Sequence, residues 1–518
     1  MAQETLSISS PVETEIPSTQ GMTTKVFKGS FWTFIGQVLP LGVALFTTPF
    51  VIRLLGSEAY GVLVLVILIP SYFNFADFGM SLGSTKFGSE AYAKGSKKEE
   101  GEIVRTAALI SFSASLPIAV LIFILSFSIV EWFKVPAHLQ SEASLALKFA
   151  SITFVLNFLS GIFNTPQLTR LRMDLNTLVN AGFRIIGLAA TPIILYLGGG
   201  IAGALFALMI ASFLTLIGHL FISGRLLKEL FRFSINRNII RPLLKFGGAL
   251  AISGIAAILL ANLEKVVLAR VTSVEALAYY SVAFTLASMA TMFSSAMVQS
   301  LLPAFSQLLR PEKKDELNKL FSRSLRINII GLIPLIMFLF VIAKPFFTIW
   351  AGENFGRESS IPFYVLLFGL FFNIIAYIPH SVLMASGRTD IFAKLYWIEL
   401  FPYILLIAVL TYKFGAVGAA AAWSLRVIVD AAVIIRLAKN IVGVSLRIFQ
   451  GKGYVFASLL TLLIAPVLIM FFVGNYSLWL TFSVVVCITI YSVIVWKKLI
   501  ESEERNWIIN RLYTVFNR

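Results

Sequence analysis

The chain has 518 residues, of which 58% are hydrophobic and only 13% charged, and its formal net charge at pH 7 is +16. A soluble domain carries about a quarter of charged residues, so this composition excludes a soluble globular protein and indicates an all-α polytopic membrane protein. The single cysteine, Cys487, and three scattered histidines offer neither a disulfide framework nor a metal-ligand spacing. We therefore expect no metal and no cofactor.

The first 24 residues contain no Lys or Arg and no apolar stretch. A secretory signal peptide needs both features. The segment is therefore predicted to be a disordered polar tail.

Apolar runs of about 20 residues follow, the length that crosses a ~30 Å hydrocarbon core as a helix. They predict about fourteen transmembrane helices, which we call spans 1 to 14. Their approximate ranges are 29–54, 57–82, 104–130, 143–168, 177–197, 200–222, 243–269, 275–303, 324–349, 361–385, 391–412, 415–437, 453–473 and 476–496.

The basic residues are distributed unevenly between the two sides of this topology. The connections after even-numbered spans and both tails hold 33 of the 42 Lys and Arg, whereas the turns after odd-numbered spans hold 8. The positive-inside rule then predicts that both termini are cytoplasmic. Because the charges lie on separate short loops, they give no reason to expect nucleic-acid binding.

The sequence also contains an internal repeat. FVIRLLGSEAYG at 50–61 aligns with VLARVTSVEALA at 267–278 under a shift of 217, which pairs Arg53 with Arg270 and Glu58 with Glu275. Nearly the same offset pairs Lys28 with Lys245, Asn157 with Asn373, and Gly200 with Gly415. The order of these pairs predicts two parallel six-helix repeats around a central cavity, a common transporter design, with spans 13 and 14 outside the duplication.

The chain is accordingly divided into five parts. Residues 499–518 place apolar and basic side chains at helical spacing, which predicts an amphipathic cytoplasmic tail. The parts are the polar tail 1–24, the N-terminal bundle 25–224, the C-terminal bundle 225–440, spans 13 and 14 at 441–498, and the tail 499–518.

Charges deep in the membrane are the strongest functional signal, because each costs about 2.5–3.5 kcal/mol at the bilayer centre. Arg426 and Asp430 lie at i, i+4 on span 12. At 1.5 Å per residue, Arg426 and Glu399 of span 11 lie at nearly equal depth on antiparallel helices. We expect these three side chains to form a cluster facing the bundle interior, either as a structural clamp or as part of substrate or cation coupling.

Other polar positions in or near the spans admit two interpretations each. Arg53 and Arg270 are either interfacial anchors or part of an outer gate or cavity rim. Asn157 and Asn373 suit either helix–helix hydrogen bonds or cavity lining. The remaining candidates are Asp77, Lys86, Arg184, Glu264 and Lys265.

Several motifs support a family resemblance that covers about residues 25–518. They are RLLGSEAYG in the first hairpin, DFG in span 2, GRTD after span 10 and FGAVGA before span 12. With fourteen spans and two six-helix halves, the chain resembles the polysaccharide-transporter flippases of the multidrug/oligosaccharidyl-lipid/polysaccharide exporter superfamily. Members often carry an aspartate on span 7, where this chain has Asn262 and Glu264.

The resemblance implies an activity and a place. It implies a flippase in the bacterial inner (cytoplasmic) membrane that moves undecaprenyl-pyrophosphate-linked O-antigen or capsule units from the cytoplasmic to the periplasmic leaflet. Alternating access would be driven by a proton or sodium gradient, or by the glycan concentration difference. The expected partners are membrane lipid, the lipid-linked oligosaccharide, H+ or Na+, and the polymerase and glycosyltransferase machinery of lipopolysaccharide biosynthesis.

The resemblance also implies a cationic cavity for the pyrophosphate. Arginine recognises phosphate through bidentate hydrogen bonds. The substrate-binding candidates are Arg53, Lys86, Arg184, Lys265, Arg270, Arg426, Asn157 and Asn373, and the ion-coupling candidates are Asp77, Glu264, Glu399 and Asp430.

Two alternatives remain open at this point. A cation-coupled multidrug antiporter of the same superfamily would be expected to have an acidic, aromatic-lined N-terminal cavity, whereas spans 1 to 6 contain Arg184 and Lys86. A membrane glycosyltransferase or polymerase would need catalytic carboxylates on a large outer loop, and the longest outer loop offers only Glu131 and Glu142. The sequence therefore predicts a transporter without catalytic residues rather than an enzyme.

Overall fold

A computed structural model describes residues 19–232, 237–445 and 478–500, together with 453, 455, 457 and 505–506. The predictions for the tail up to residue 18, for most of span 13 and for most of the C-terminal amphipathic tail lie outside these residues. Within them, eight segments are long and apolar enough to cross a membrane. The described chain is helical and has no strands, so the all-α prediction is confirmed.

The described helices follow the predicted spans in order. Each of spans 1 to 12 and span 14 corresponds to helical structure, with bounds that differ by several residues. The helices are α1 (Thr19–Ser71), α2 (Met80–Ala93), α3 (Lys97–Ile124), α4 (Ser126–Trp132), α5 (Ala137–Phe163), α6 (Thr165–Thr169), α7 (Met173–Tyr196), α8 (Gly200–Leu226), α9 (Arg237–Val271), α10 (Val274–Ser288), α11 (Thr291–Leu308), α12 (Lys314–Ala351), α13 (Glu353–Glu358), α14 (Ser360–Ala385), α15 (Thr389–Leu437) and α16 (Leu478–Ile494).

Glycines make the tightest reversals at one end of the bundle, which we call the hinge end. Two helices reverse at a single residue, α1 at Gly56 (φ 80°, ψ 168°) and α15 at Gly415 (φ 55°, ψ −132°). Only glycine occupies such left-handed regions readily. Gly200 at the start of α8 has φ 57°, so Gly200 and Gly415, which the repeat pairs, share a left-handed φ. The opposite end, which carries most Lys and Arg, is called the basic end.

Spans 2 and 8 are interrupted, although the sequence predicted each as one continuous helix. Span 2 stops at Ser71, passes through a short 3₁₀ helix at Asn74–Asp77, and resumes at Met80. Phe78 (φ 46°) and Gly79 (φ 63°) adopt left-handed conformations that end the helix. Span 8 breaks between Ser288 and Thr291. When the sequence is aligned with itself under the shift of 217, the break of span 2 aligns with the break of span 8. This agreement is consistent with the predicted duplication.

Two groups of helices build the molecule, and each supplies most of the residues of one large core cluster. In the N-terminal half (α1 to α8) the core includes Val62, Leu65 and Leu147. In the C-terminal half (α9 to α15) a core cluster includes Leu367 and Val427. Helix α16 packs on α12, where the Tyr491 hydroxyl donates to the Ile330 carbonyl over 3.1 Å.

The halves meet along two lines of contact. Helix α1 packs on α10 at the hinge end, and α2 packs on the basic end of α9. Helix α11, the second piece of span 8, packs on α14 and α12 of its own half. The space between the halves is therefore closed by direct packing at the hinge end.

Candidate functional site

The repeated motif joins the two halves at the hinge end. Ser57 Oγ donates to Glu275 Oε1 over 2.5 Å, and the Tyr279 hydroxyl donates to the same oxygen over 2.6 Å. Ser273 caps α10 by accepting from the Ala276 amide at 3.0 Å. Glu275 therefore sits in the first turn of a capped helix, where its charge is favoured, and binds a residue of the other half.

Two further hydrogen bonds cross between the halves nearby. Arg53 Nη2 donates to the Ile349 carbonyl over 3.0 Å, and Trp350 Nε1 donates to the Leu45 carbonyl over 3.0 Å. Gly61 lies so close to α10 that a β-carbon there would be 1.9 Å from the Val274 carbonyl oxygen. We call these contacts of residues 45, 53, 57 and 61 with 274, 275, 349 and 350 the hinge-end seal.

A small cavity of about 50 Å³ lies between the halves beneath this seal. Its walls are mainly apolar and come from both halves. They are formed by Leu41, Ala44, Leu45, Thr48, Tyr60, Val282, Thr285, Leu286, Met289 and Trp350.

A larger space opens at the basic end. A cavity of about 530 Å³ lies between α2, α3 and the start of α9, with Glu90, Lys98 and Glu102 among its lining residues. Lys86 is exposed on α2, with its ammonium 5.0 Å from the Phe87 ring and 4.8 Å from the Phe246 ring of the other half. A cation in such contact with two aromatic faces is held in place.

Buried charges meet in the C-terminal half on α15. Arg426 Nη1 lies 3.4 Å from Glu399 Oε2, and the carboxyl group of Asp430 is within hydrogen-bonding reach of Glu399. Glu399 and Asp430 are each only 8% exposed. The structure therefore brings Glu399 into contact with Arg426 and close to Asp430.

Helix α9 adds a third acid to this region. Glu264 is fully buried, and its Oε2 accepts a hydrogen bond of 3.0 Å from the Tyr403 hydroxyl. The Arg426 guanidinium is 5.4 Å from the Tyr403 ring and interacts electrostatically with Glu264. Glu264, Glu399, Arg426 and Asp430, joined by Tyr403, are called the charge cluster.

Several polar atoms in the charge cluster lack a hydrogen-bond partner among the described residues. They are Glu264 Oε1, Glu399 Oε1, Asp430 Oδ1 and Arg426 Nε, and the Tyr280 hydroxyl beside them is also unpaired. An unpaired buried polar atom costs free energy. The unpaired carboxylate oxygens of the charge cluster are therefore open to protonation or to hydrogen bonds from water.

The sequence profile of a family described as "Polysaccharide biosynthesis protein" matches residues 26–309, more than half of the chain. The chain belongs to this family. A "Putative O-antigen transporter" from Shigella flexneri is 26% identical over 415 residues, which are 78% of this chain and 96% of the relative. The "Lipopolysaccharide biosynthesis protein WzxC" of Escherichia coli (strain K12) is 23% identical over 406 residues, 76% of this chain and 77% of the relative.

Among solved structures, "Lipid II flippase MurJ, inward closed conformation" has the same fold. The TM-score is 0.68 at 16% identity, and the superposition covers 92% of this chain and 100% of that structure. This polysaccharide biosynthesis family member is therefore a multi-pass membrane protein with a transporter fold, and it is similar to one protein named as a putative transporter and to one solved structure named as a flippase.

The structure places the other predicted site residues of this family member apart from one another. Arg53 and Arg270 lie at the hinge end, where the Arg270 guanidinium is 5.2 Å from the Trp132 ring. Arg184 and Asn157 are exposed on α7 and α5, and Asn373 is half-buried on α14. The cations that the sequence grouped around one cavity are spread along the length of the protein.

Asp77 lies outside the charge cluster. Its Oδ2 accepts from the Ser81 amide at 3.1 Å, and its Oδ1 accepts from Ser111 Oγ at 3.3 Å. The Asp77 carboxylate thus binds the first turn of α2 through one oxygen and α3 through the other.

Three tyrosines of the central region were missed by the sequence reasoning. Tyr403 is four residues after Glu399, a spacing that puts both on one helix face and offered a usable signal. Tyr280 and Tyr72 reach the charge cluster region only through tertiary packing, which no local pattern encodes.

Proposed function

We propose that this protein is a flippase of the bacterial inner membrane that moves lipid-linked oligosaccharide units for O-antigen or capsule assembly. The full-length similarity to a putative O-antigen transporter supports the substrate class. Undecaprenyl pyrophosphate is the proposed carrier, and the polymerase and glycosyltransferases of the same assembly route are the proposed partners. The hinge end faces the periplasm in this proposal, and both termini face the cytoplasm.

The observation that carries the proposal is the hinge-end seal. Its contacts join the two helical halves at the hinge end, as alternating access requires of a state closed toward the periplasm. Breaking the Ser57–Glu275, Arg53–Ile349 and Trp350–Leu45 contacts would open this end when the halves rock. Each contact is small enough to be made and broken in a transport cycle.

Cations at different depths suit a phosphate that moves through the protein. Lys86 is exposed near the basic end, Lys265 lies on α9 between the two ends, and Arg270 lies at the hinge end. Arg426 is committed to Glu399 in this state. We therefore assign the initial contact with the pyrophosphate to Lys86, and later contacts to Lys265 and Arg270.

The charge cluster is the proposed site of ion coupling. Together with the neighbouring Lys265 it contains three acids and two bases, so one negative charge is left over if every group is ionised. A buried unpaired charge is expensive in the membrane. Uptake of one H+ or Na+ would remove it and free Arg426 from Glu399, which couples ion binding to a rearrangement of α15.

The function is tested in proteoliposomes with a defined lipid-linked oligosaccharide. In a Cys487→Ser background, Ser57→Cys and Glu275→Cys are joined by a short, reductant-cleavable thiol crosslinker. Flipping is expected to fall at least tenfold on crosslinking, because the hinge-end seal can no longer open, and to return when the crosslink is cleaved. Imposed proton and sodium gradients identify the coupling ion in the same assay.

The matched control joins two residues of one half. Ser126 Oγ and Ser144 Oγ lie 2.9 Å apart within the N-terminal half, so crosslinking the Ser126→Cys, Ser144→Cys pair should leave flipping unchanged. Flipping by the crosslinked 57–275 pair at the uncrosslinked rate contradicts alternating access at this end. Wild-type protein that flips no lipid-linked sugar under any gradient contradicts the proposed function itself.

A further inference from the structure

Tyr72 joins the two halves away from the hinge-end seal. It lies at the break of span 2, directly after α1 ends at Ser71. Its hydroxyl donates a hydrogen bond to the main-chain carbonyl of Asn262 on α9. It also approaches the Val266 amide, which lies one helical turn further along α9.

Tyr72 crosses near the middle of the membrane. It is eleven residues beyond Gly61, which touches Val274 in the hinge-end seal, and Asn262 is twelve residues before Val274. At 1.5 Å per residue, both distances are about 16–18 Å, roughly half of a ~30 Å hydrocarbon core. The contact is therefore at the depth estimated for Glu399 and Arg426.

The segment of α9 that Tyr72 contacts also carries the charges. Asn262 Oδ1 accepts from Lys265 Nζ at 2.9 Å, and the Lys265 ammonium is 4.6 Å from the Phe284 ring. Glu264, between them in sequence, interacts electrostatically with Tyr72. The charged and titratable groups of this region are Glu264 and Lys265 on α9, Tyr280 on α10, Tyr396, Glu399, Tyr403, Arg426 and Asp430 on α15, and Tyr72 itself.

We propose that Tyr72 is a positioning residue that transmits the state of the charge cluster to the N-terminal half. This inference rests on the proposed ion-coupled flippase function. Its hydroxyl bonds to main chain within two residues of Glu264, so a shift of α9 on ion binding strains or breaks a contact with span 2. Because span 2 is interrupted at this point, its outer and inner pieces can respond separately.

The primary test replaces Tyr72 by Phe, which removes the hydroxyl and keeps the ring. Wild-type flipping in proteoliposomes should rise with the imposed coupling-ion gradient. Tyr72→Phe should lose this rise, with gradient-driven flipping at least tenfold below wild type, while exchange without a gradient stays within about twofold. The control is Tyr60→Phe, because Tyr60 lies on the same span against the other half and meets the Phe355 ring. It should behave as wild type.

A double-mutant cycle separates transmission from a general packing defect. Glu264→Gln should also lose the response to the gradient, and Tyr72→Phe with Glu264→Gln should be no worse than either single change. The combination Tyr60→Phe with Glu264→Gln should match Glu264→Gln alone. Independent, multiplicative losses for Tyr72→Phe and Glu264→Gln contradict the inference.

A second readout does not depend on flipping. The yield of the 57–275 crosslink reports how often the hinge-end seal is closed. In protein that carries only the crosslinking cysteines, this yield should change when the coupling ion is added. In the same protein with Tyr72→Phe, the yield should be the same with and without the ion, even if that variant is less stable. A wild-type response in Tyr72→Phe overturns the inference alone. Wild-type protein that flips without responding to any gradient overturns this inference and ion coupling together, and absence of flipping contradicts the proposed function.

Discussion

Single side chains hold the N-terminal half rigid at its basic end. Glu100 is fully buried and accepts from Arg170 Nη1 at 2.5 Å and from Arg170 Nη2 at 3.0 Å. Thr169 donates to the same carboxylate, and the Arg170 guanidinium lies 4.6 Å from the Tyr92 ring. The bidentate pair thereby connects α3 with the α6 segment and with α2.

Arg170→Ala is expected to destabilise the protein strongly, because it leaves the Glu100 carboxylate buried without its partner. Breaking a buried pair in this way costs about 3–5 kcal/mol. Thermal unfolding in detergent should therefore show a clearly lower Tm. Arg172→Ala is the control, since Arg172 pairs with Asp174 with side chains that are 48% and 34% exposed, and such a pair contributes about 0–1 kcal/mol. An equal decrease in Tm in both variants would contradict a special stabilising role for the buried Glu100–Arg170 pair.

The helices owe their direction to a few hinge positions. Helix α1 contains two antiparallel arms because one residue, Gly56, leaves the helical region. Its φ of 80° and ψ of 168° fall in a region that is nearly exclusive to glycine. This reversal fixes the placement of Ser57 and Arg53, and therefore the hinge-end seal depends on it.

Gly56→Ala should lower the Tm and weaken the 57–275 crosslink, because alanine must strain or abandon this conformation at a cost of about 1–3 kcal/mol. Gly42→Ala on the same helix is the control. Gly42 lies in regular helix, and a β-carbon added there would meet no neighbouring atom within 4 Å, so alanine should leave the Tm unchanged or raise it. Thermal unfolding and the yield of the 57–275 crosslink are measured for both variants. A Gly56→Ala protein with the wild-type Tm and the wild-type crosslink yield would contradict the role of Gly56 in placing the seal.

Helix existence and order could be predicted from the sequence, because bilayer thickness fixes the length of each apolar run. The contact of Glu399 with Arg426 could also be predicted, since helical rise gives depth on two adjacent spans. The breaks of spans 2 and 8 could not, because the apolar runs continue through them and Phe78 adopts its left-handed conformation in the folded chain. The Tyr72–Asn262 contact depends on how the halves pack, which periodicity within one helix does not encode.

At the scale of the whole molecule, charge asymmetry and alternating access predict one orientation. The basic end carries most of the Lys and Arg, and the hinge end carries the seal between the halves. From the positive-inside rule we predict that the described state is closed to the periplasm and that substrate enters from the cytoplasmic side.

Single cysteines in the Cys487→Ser background test this orientation. Glu131 and Lys94 are both exposed but lie at opposite ends of the bundle. A membrane-impermeant thiol reagent applied to cells with a permeabilised outer membrane should label Glu131→Cys and not Lys94→Cys. After the inner membrane is lysed, both should react. The reverse pattern of labelling would invert the proposed topology.

The absence of a β-carbon at Gly61 has a thermodynamic consequence for the proposed transport cycle. A β-carbon there would meet the Val274 carbonyl only while the hinge-end seal is closed, so the steric penalty would fall on one conformation and spare the other. Each 1.4 kcal/mol of such a penalty shifts the ratio of the two conformations about tenfold. In the proposed alternating-access cycle the missing side chain thus helps set the resting population of the two conformations, and we expect a single added carbon atom at this position to displace that equilibrium toward the open form.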